Sequence, residues 1–337
     1  MSDSGPSTVP HKRPRLDDSN GPCEVPEYYK DLWFEDGSVI FKCGAASFRV
    51  HRSVVCVHSQ VFRDMFSVGT SDTMQDDVPV VEITDPAEKF FLFLKKMYFS
   101  HAVQIDVSIG FSILIDLLEL ATKYMVDFIR QEIIDYLHSI LPCTLSDYEH
   151  QHDFISGLNV PELIMAIRAG WKYGIESIVP TALYALCVHH YGDITLWSEG
   201  SDVPDLVRII ALCALGYQNL QGLKRVTDKR AWSQAVYKTD SKFHCQEDLR
   251  SELIIIMTHS IEDESGVYKY WEDIHIFEPE GFYSGIAKGS PQMRVCDKCR
   301  ERWKRWEKTA REDAWSKMPE CFGLTWPDAG SSGEEIS

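Results

Sequence analysis

The residues with the strongest metal-like spacing are Cys296-Asp297-Lys298-Cys299. Two thiolates three residues apart can grip one Zn²⁺ from a single tight turn, and a structural zinc site needs four such ligands. His244-Cys245, about fifty residues earlier, is the candidate second pair, with Cys321 as a further candidate. One pair is thin support and the other is awkwardly adjacent, so ordinary thiols are the favoured reading. A structural zinc is the alternative, and a metal-dependent hydrolase using Cys296, Cys299 and His244 the distant rival. A redox pair would need a βαβ setting that is not found here. His51, Cys56 and His58 lie close in sequence, but nucleophilic catalysis needs a base and an orienting acid beside the thiol. Cys56 instead sits in the apolar run Val54-Val55-Cys56-Val57. No Gly-rich phosphate cradle and no Gly-x-Ser-x-Gly elbow is found. These residues point away from an enzyme, and no small-molecule substrate is evident.

Two further clusters carry charge. Lys12, Arg13 and Arg15 lie in a Ser/Pro/Asp/Gly-rich start and form a candidate nuclear-import signal. Between Arg300 and Arg311 six bases interleave with Trp303 and Trp306, a pattern that can stack nucleobases. Glu301, Glu307, Glu312 and Asp313 dilute it, so the preferred reading is an amphipathic helix docking its tryptophans on the body.

Of the 337 residues, 51 are acidic and 34 basic, a net charge of −17. That field disfavours the phosphate backbone, and no zinc-finger, basic-zipper or homeodomain pattern appears, so direct nucleic-acid binding is not expected. No apolar run approaches the ~18 residues of a membrane span, and the N-terminus lacks a signal-peptide core. A nuclear or cytoplasmic, unsecreted protein with mostly reduced cysteines is expected; Cys187 and Cys213, in apolar runs, read as small core residues.

The elements that must position these residues read as an α+β unit followed by helices. Val39–Phe41 and Phe48–Val50 alternate as strands around a Gly-Ala-Ala-Ser turn, and a helix-like segment ends at Phe66. Val78–Ile83 is a third strand candidate. Pro86 opens a helix through Tyr98, and Ile113–Asp127 reads as one helix with a Glu119–Lys123 ion pair on its polar face. Residues 1–26 and 328–337 are expected to be disordered. The folded parts are expected at 28–141, a linker at 142–158, a helical extension at 159–235 and a mixed region at 236–327. In the extension, Pro161 and Pro180 suit first turns, Gly174 suits a helix end, and a third helix spans Val203–Leu220. Leu253–Met257 reads equally as a buried strand or a helix turn.

The stretch Asp36–Phe66 resembles the opening of a BTB/POZ domain. The likeness rests on the strand pair around Phe41 and Phe48, the junction Phe48-Arg49-Val50-His51-Arg52-Ser53, and Ser59-Gln60-Val61-Phe62-Arg63-Asp64-Met65-Phe66. Phe93-Leu94-Lys95-Lys96-Met97-Tyr98 and Leu117–Tyr124 extend it over essentially the whole first unit. Leu32–Gly37 and Ile178–Tyr184 look like fungal BTB proteins whose BTB unit precedes a helical region.

The resemblance implies a protein-binding module, self-associating or serving as an adaptor. The homodimer surface it implies comprises Tyr28, Leu32, Trp33, Phe34, Val54 and Val55, an aromatic-rich patch of the kind that dominates interface energy. Some members of the family bind a cullin scaffold through an apolar residue two before a glutamate, in the loop after the second helix. Here that loop, with Phe66, Val68 and Met74 as candidate contacts, has no glutamate. The cullin-adaptor reading is therefore secondary, beside that of a nuclear co-regulator reaching DNA only through partners.

Overall fold

The computed structural model describes residues 27–69, 73–106, 108–190, 205–236, 276–277 and 297–327. A 3-10 turn, Glu27–Leu32, leads into strands β1 (Val39–Cys43) and β2 (Ala46–Val50). The strands run two residues closer to the turn than the sequence suggests, because Gly44 at φ 59° reverses the chain in two residues. They pair antiparallel, Val39 with Val50 and Phe41 with Phe48. Helices α1 (Arg52–His58) and α2 (Gln60–Val68) cross over to β3 (Met74–Gln75) and β4 (Val78–Glu82). Asp76 and Asp77 both have positive φ, as a tight two-residue hairpin requires, and Asp tolerates that region better than most residues. β4 runs parallel to β1, giving the order β2-β1-β4-β3.

Phe41 and Phe48, on the inner face of the sheet, meet Phe62, Phe66, Phe90 and Phe91 at ring separations of 5.0–6.4 Å. These rings come from α2 and α3 (Ala87–Tyr98). One helix was expected over Ile113–Asp127. The chain instead forms α4 (Phe111–Lys123) and α5 (Asp127–Ile140), broken at Tyr124–Val126. The expected Glu119–Lys123 pair does not form. Lys123 reaches Asp85 at 2.7 Å, and Glu119 reaches Lys172 at 2.8 Å, because each finds a tertiary partner.

The polar stretch expected as a linker is helix α6 (Leu145–Gly157), in which Thr144 caps the N-terminus and Leu145, Tyr148 and Ile155 are buried. Such a cap contributes about 1 kcal/mol. Few apolar residues mark it, so its composition resembles a loop. α7 (Val160–Tyr173) starts with an Asn159–Glu162 capping box and ends at Gly174, φ 71°. α8 (Val179–His189) is almost wholly buried, with Pro180 in its first turn. α9 (Leu206–Val236) is longer than expected; Val203 and Leu253–Met257 lie outside the described residues.

α10 (Asp297–Lys317) and the turn Met318–Phe322 close over this layer. Trp315 donates its indole N–H to the Cys143 carbonyl at 2.8 Å and packs on Tyr148, Phe277 and Trp326. The docked-helix reading of α10 thus holds for Trp315; Trp306 is half-buried. One hydrophobic core runs from Leu32 to Phe322.

Two experiments test this packing. A Cβ at Gly216 of α9 would come within 2.1 Å of the Phe322 ring. Gly216→Ala should therefore lower stability by about 1–3 kcal/mol despite its better helix propensity. Adding Phe322→Leu should recover part of that loss, read from urea unfolding midpoints. Lys96, only 2% exposed, donates to the Val103 carbonyl at 2.9 Å and pairs with Glu132 at 2.8 Å. Lys96→Ala leaves that carbonyl without its donor and should cost about 2–4 kcal/mol by the same measurement.

Candidate protein-interaction site

The arm before β1 is built onto its own domain. Leu32 is fully buried, and the Phe34 N–H donates to the Arg49 carbonyl at 2.9 Å. Trp33 bridges to Arg49 in parallel, along the outer edge of β2. Gly37 is needed here because a Cβ would meet Arg49 at 2.7 Å. The Phe34 ring stacks on Tyr98 at 5.1 Å and leans on His51 at 4.8 Å.

Of the six residues expected at a self-association surface, Leu32 and Val55 are therefore core residues, and Phe34 is largely covered by its neighbours. Sequence alone does not show that neighbouring elements of the same domain already cover their apolar area. Trp33, 39% exposed, and half-buried Val54 remain at the surface. Tyr28 lies in the 3-10 turn.

His51 is structural. Its Nε2 lies 3.0 Å from Asp36 Oδ1, and its backbone N–H donates to Tyr98 Oη at 2.7 Å. The His51 ring bond holds the Asp36 carboxyl below its usual range, while burial pushes the Tyr98 phenol up to about 12.

Three exposed apolar residues of the first unit lie on two turns that meet. Ser59, between α1 and α2, accepts from the Phe62 N–H at 3.1 Å and donates its hydroxyl to the Tyr124 carbonyl at 2.5 Å. This clamps residues 57–59 against the α4–α5 turn, and the His58 ring rests 5.0 Å from Phe128. Val57 is 73% exposed, Met125 55% and Phe128 38%.

The α4 end is closed by two bonds, Met125 N–H to the Thr122 carbonyl and Val126 N–H to the Ala121 carbonyl. This double closure places its key residue in the left-handed region, a position usually held by glycine. Here it is Met125, φ 52°. A long apolar side chain kept in a costly backbone state and pointed at solvent is a feature of sites that do something. Sequence reading missed it because no Gly, Pro or Asn marks the break. The expected helix Ile113–Asp127 runs through Met125, past the true end at Lys123.

The loop after α2 is divided. Phe66 is buried under Arg52, whose guanidinium lies 4.8 Å from its ring centroid, so it belongs to the core. Val68 and Met74 are 91% and 56% exposed.

Cys299 lies in the first turn of α10. Cys296, Cys245, His244, Lys12, Arg13 and Arg15 lie outside the described residues. Among the described residues no group of three His, Cys, Asp or Glu could hold a metal ion. Cys187, Cys213 and Cys321 are buried packing residues. The Cys187 thiol donates to the Cys213 carbonyl at 3.5 Å, and burial pushes the Cys321 thiol up to about 11. No described helix is long and apolar enough to cross a membrane.

A comparison with curated proteins finds no match. A comparison with protein-family models matches residues 36–141 to the BTB/POZ domain. BTB/POZ domains are in general protein–protein interaction modules. The sheet, the α1–α2 hairpin, α3 and the clamped α4–α5 turn together are a BTB/POZ domain, followed here by a further helical region.

Proposed function

We propose that this chain is a non-catalytic binding protein that holds other polypeptides, first a second copy of itself, through Val57, His58, Met125 and Phe128, with Val54 and Trp33 extending the contact. The observation that carries this reading is Met125: a left-handed backbone is maintained while more than half of an apolar side chain stays in water. Covering such a patch in a twofold contact uses the same surface twice, which is how most homodimers form. Buried aromatic and apolar anchors would supply the energy, and no bond would be made or broken.

Replacing Met125 separates binding from folding. Met125→Gly relieves the backbone, so the unfolding midpoint should stay level or rise by the equivalent of about 0.5–1 kcal/mol, while self-association weakens. Phe128→Asp should abolish the dimer in sedimentation. A protein monomeric at high concentration, or a dimer indifferent to both changes, sinks the reading.

The exposure of Val68 and Met74 favours a second use, recruitment of a cullin-type scaffold by an adaptor. Val68→Asp with Met74→Asp should then abolish cullin co-precipitation and leave the dimer intact. Retained cullin binding in that variant removes this role from the loop.

A further inference from the structure

A cleft opens on the side of the first unit that faces the helical extension. It is lined by Ile109, Phe111 and Leu114 at the start of α4, Tyr136 of α5, and Phe154 and Leu158 at the end of α6, and encloses about 280 Å³. Three carboxylates, Asp106, Asp153 and Glu162, border this apolar floor. Each commits one oxygen within the chain. Asp106 Oδ1 accepts from the N–H and hydroxyl of Ser108 at 2.8 and 2.6 Å. Asp153 Oδ1 lies 3.3 Å from His152 Nδ1, and Glu162 Oε2 accepts the Asn159 N–H at 3.0 Å. The second oxygen of each has no partner among the described residues. The Ser108 bonds hold Asp106 below the usual carboxylate range, so it is ionised at neutral pH. An apolar trough with three outward negative charges suits an extended peptide that alternates bases with apolar or proline residues.

The chain carries such a peptide outside the described residues. Val9-Pro10-His11-Lys12-Arg13-Pro14-Arg15-Leu16 contains no acid. It is also joined to the fold by a long tether. The described fold begins at Glu27, and Asp31 pairs with Lys95 at 3.4 Å. The next residue, Lys96, bonds to the Val103 carbonyl and to Glu132. Asp106 lies three residues beyond Val103, and Tyr136 one helical turn beyond Glu132. These contacts run from the turn that follows the tail, through the last turn of α3, to elements next to those lining the cleft. The eleven steps from Leu16 to Glu27 span up to about 36–40 Å when extended.

We propose that residues 9–16 dock in this cleft within the same molecule, with Lys12, Arg13 and Arg15 against Asp106, Asp153 and Glu162 and the Leu16 side chain on the Phe154–Leu158 floor. Docking hides the basic run from any receptor that would read it, and a competing basic peptide would release it.

Trypsin cleavage of the Arg15–Leu16 bond tests this, followed by mass spectrometry on the full chain and on a free peptide of residues 1–26. Cleavage follows the undocked population when docking is fast, so the full chain should be cut at least about tenfold more slowly than the peptide. Asp106→Lys with Asp153→Lys should return it to within about twofold of the peptide rate, given an unchanged melting temperature. Lys12→Glu with Arg13→Glu, outside the described fold and compared with the same change in the peptide, should do likewise. It decides the matter if the cleft variant fails to fold. Equal rates for chain and peptide overturn the proposal, as does protection that survives the substitutions. Protection lost on dilution of the chain also overturns it, because the cleft would then be holding the tail of another copy.

Discussion

The hydroxyl of Ser59 ties two parts of the chain that are 65 residues apart, and the first unit is organised around that tie. By satisfying the Tyr124 carbonyl at the broken end of α4, it fixes where the α1–α2 hairpin sits on the α4–α5 pair. Behind it the Tyr124 ring stacks on Phe62 at 4.7 Å and meets Phe90 and Phe93 at 5.7 and 5.6 Å. Its phenol donates to Asp85 at 2.5 Å, and burial with that carboxylate pushes its pKa up. Ring packing and a hydrogen bond to Asp85 thus converge on one residue. Val57, Met125 and Phe128 are held at the surface by what lies under them.

Much of this was legible from residue pattern. Alternation placed the hairpin, and Pro161, Gly174 and Pro180 placed both ends of α7 and the start of α8, because local backbone preferences are strong there. The break at Met125 was not legible, since a methionine in the left-handed region violates the local rule that sequence reading depends on. α6 was hidden for a different reason. It buries only Leu145, Tyr148 and Ile155, so its apolar stripe is too sparse to stand out from a loop. The implied dimer surface includes Leu32 and Val55, which the domain itself buries, because hydrophobicity says that a residue must be covered, not by what.

The helical region shares the core of the first unit instead of hanging from it. Arg130 donates to the Tyr173 carbonyl at 3.1 Å, Thr181 to the Pro142 carbonyl at 2.7 Å, and Trp315 to the Cys143 carbonyl. These bonds satisfy carbonyls at the ends of helices and in the connection before α6, where an unmet acceptor would be costly once buried. Arg311, largely buried, is tolerated because Glu149 lies 2.7 Å from its guanidinium and the Ile276 carbonyl accepts from Nε. Arg311, a base of α10, is thus used for internal docking.

The margins of the small sheet have a consequence for how anything attaches. Along β2 the arm already occupies part of the outer backbone, through the Phe34 N–H to the Arg49 carbonyl and the Trp33–Arg49 bridge. At the far side β3 is two residues long and faces Pro79, which has no N–H to offer. A guest polypeptide therefore gains little by extending the ladder as an added strand. Recognition is left to side chains on helices, which discriminate by shape and tolerate exchange of one residue at a time, and the unit is spared the edge-to-edge stacking that drives chains into fibres.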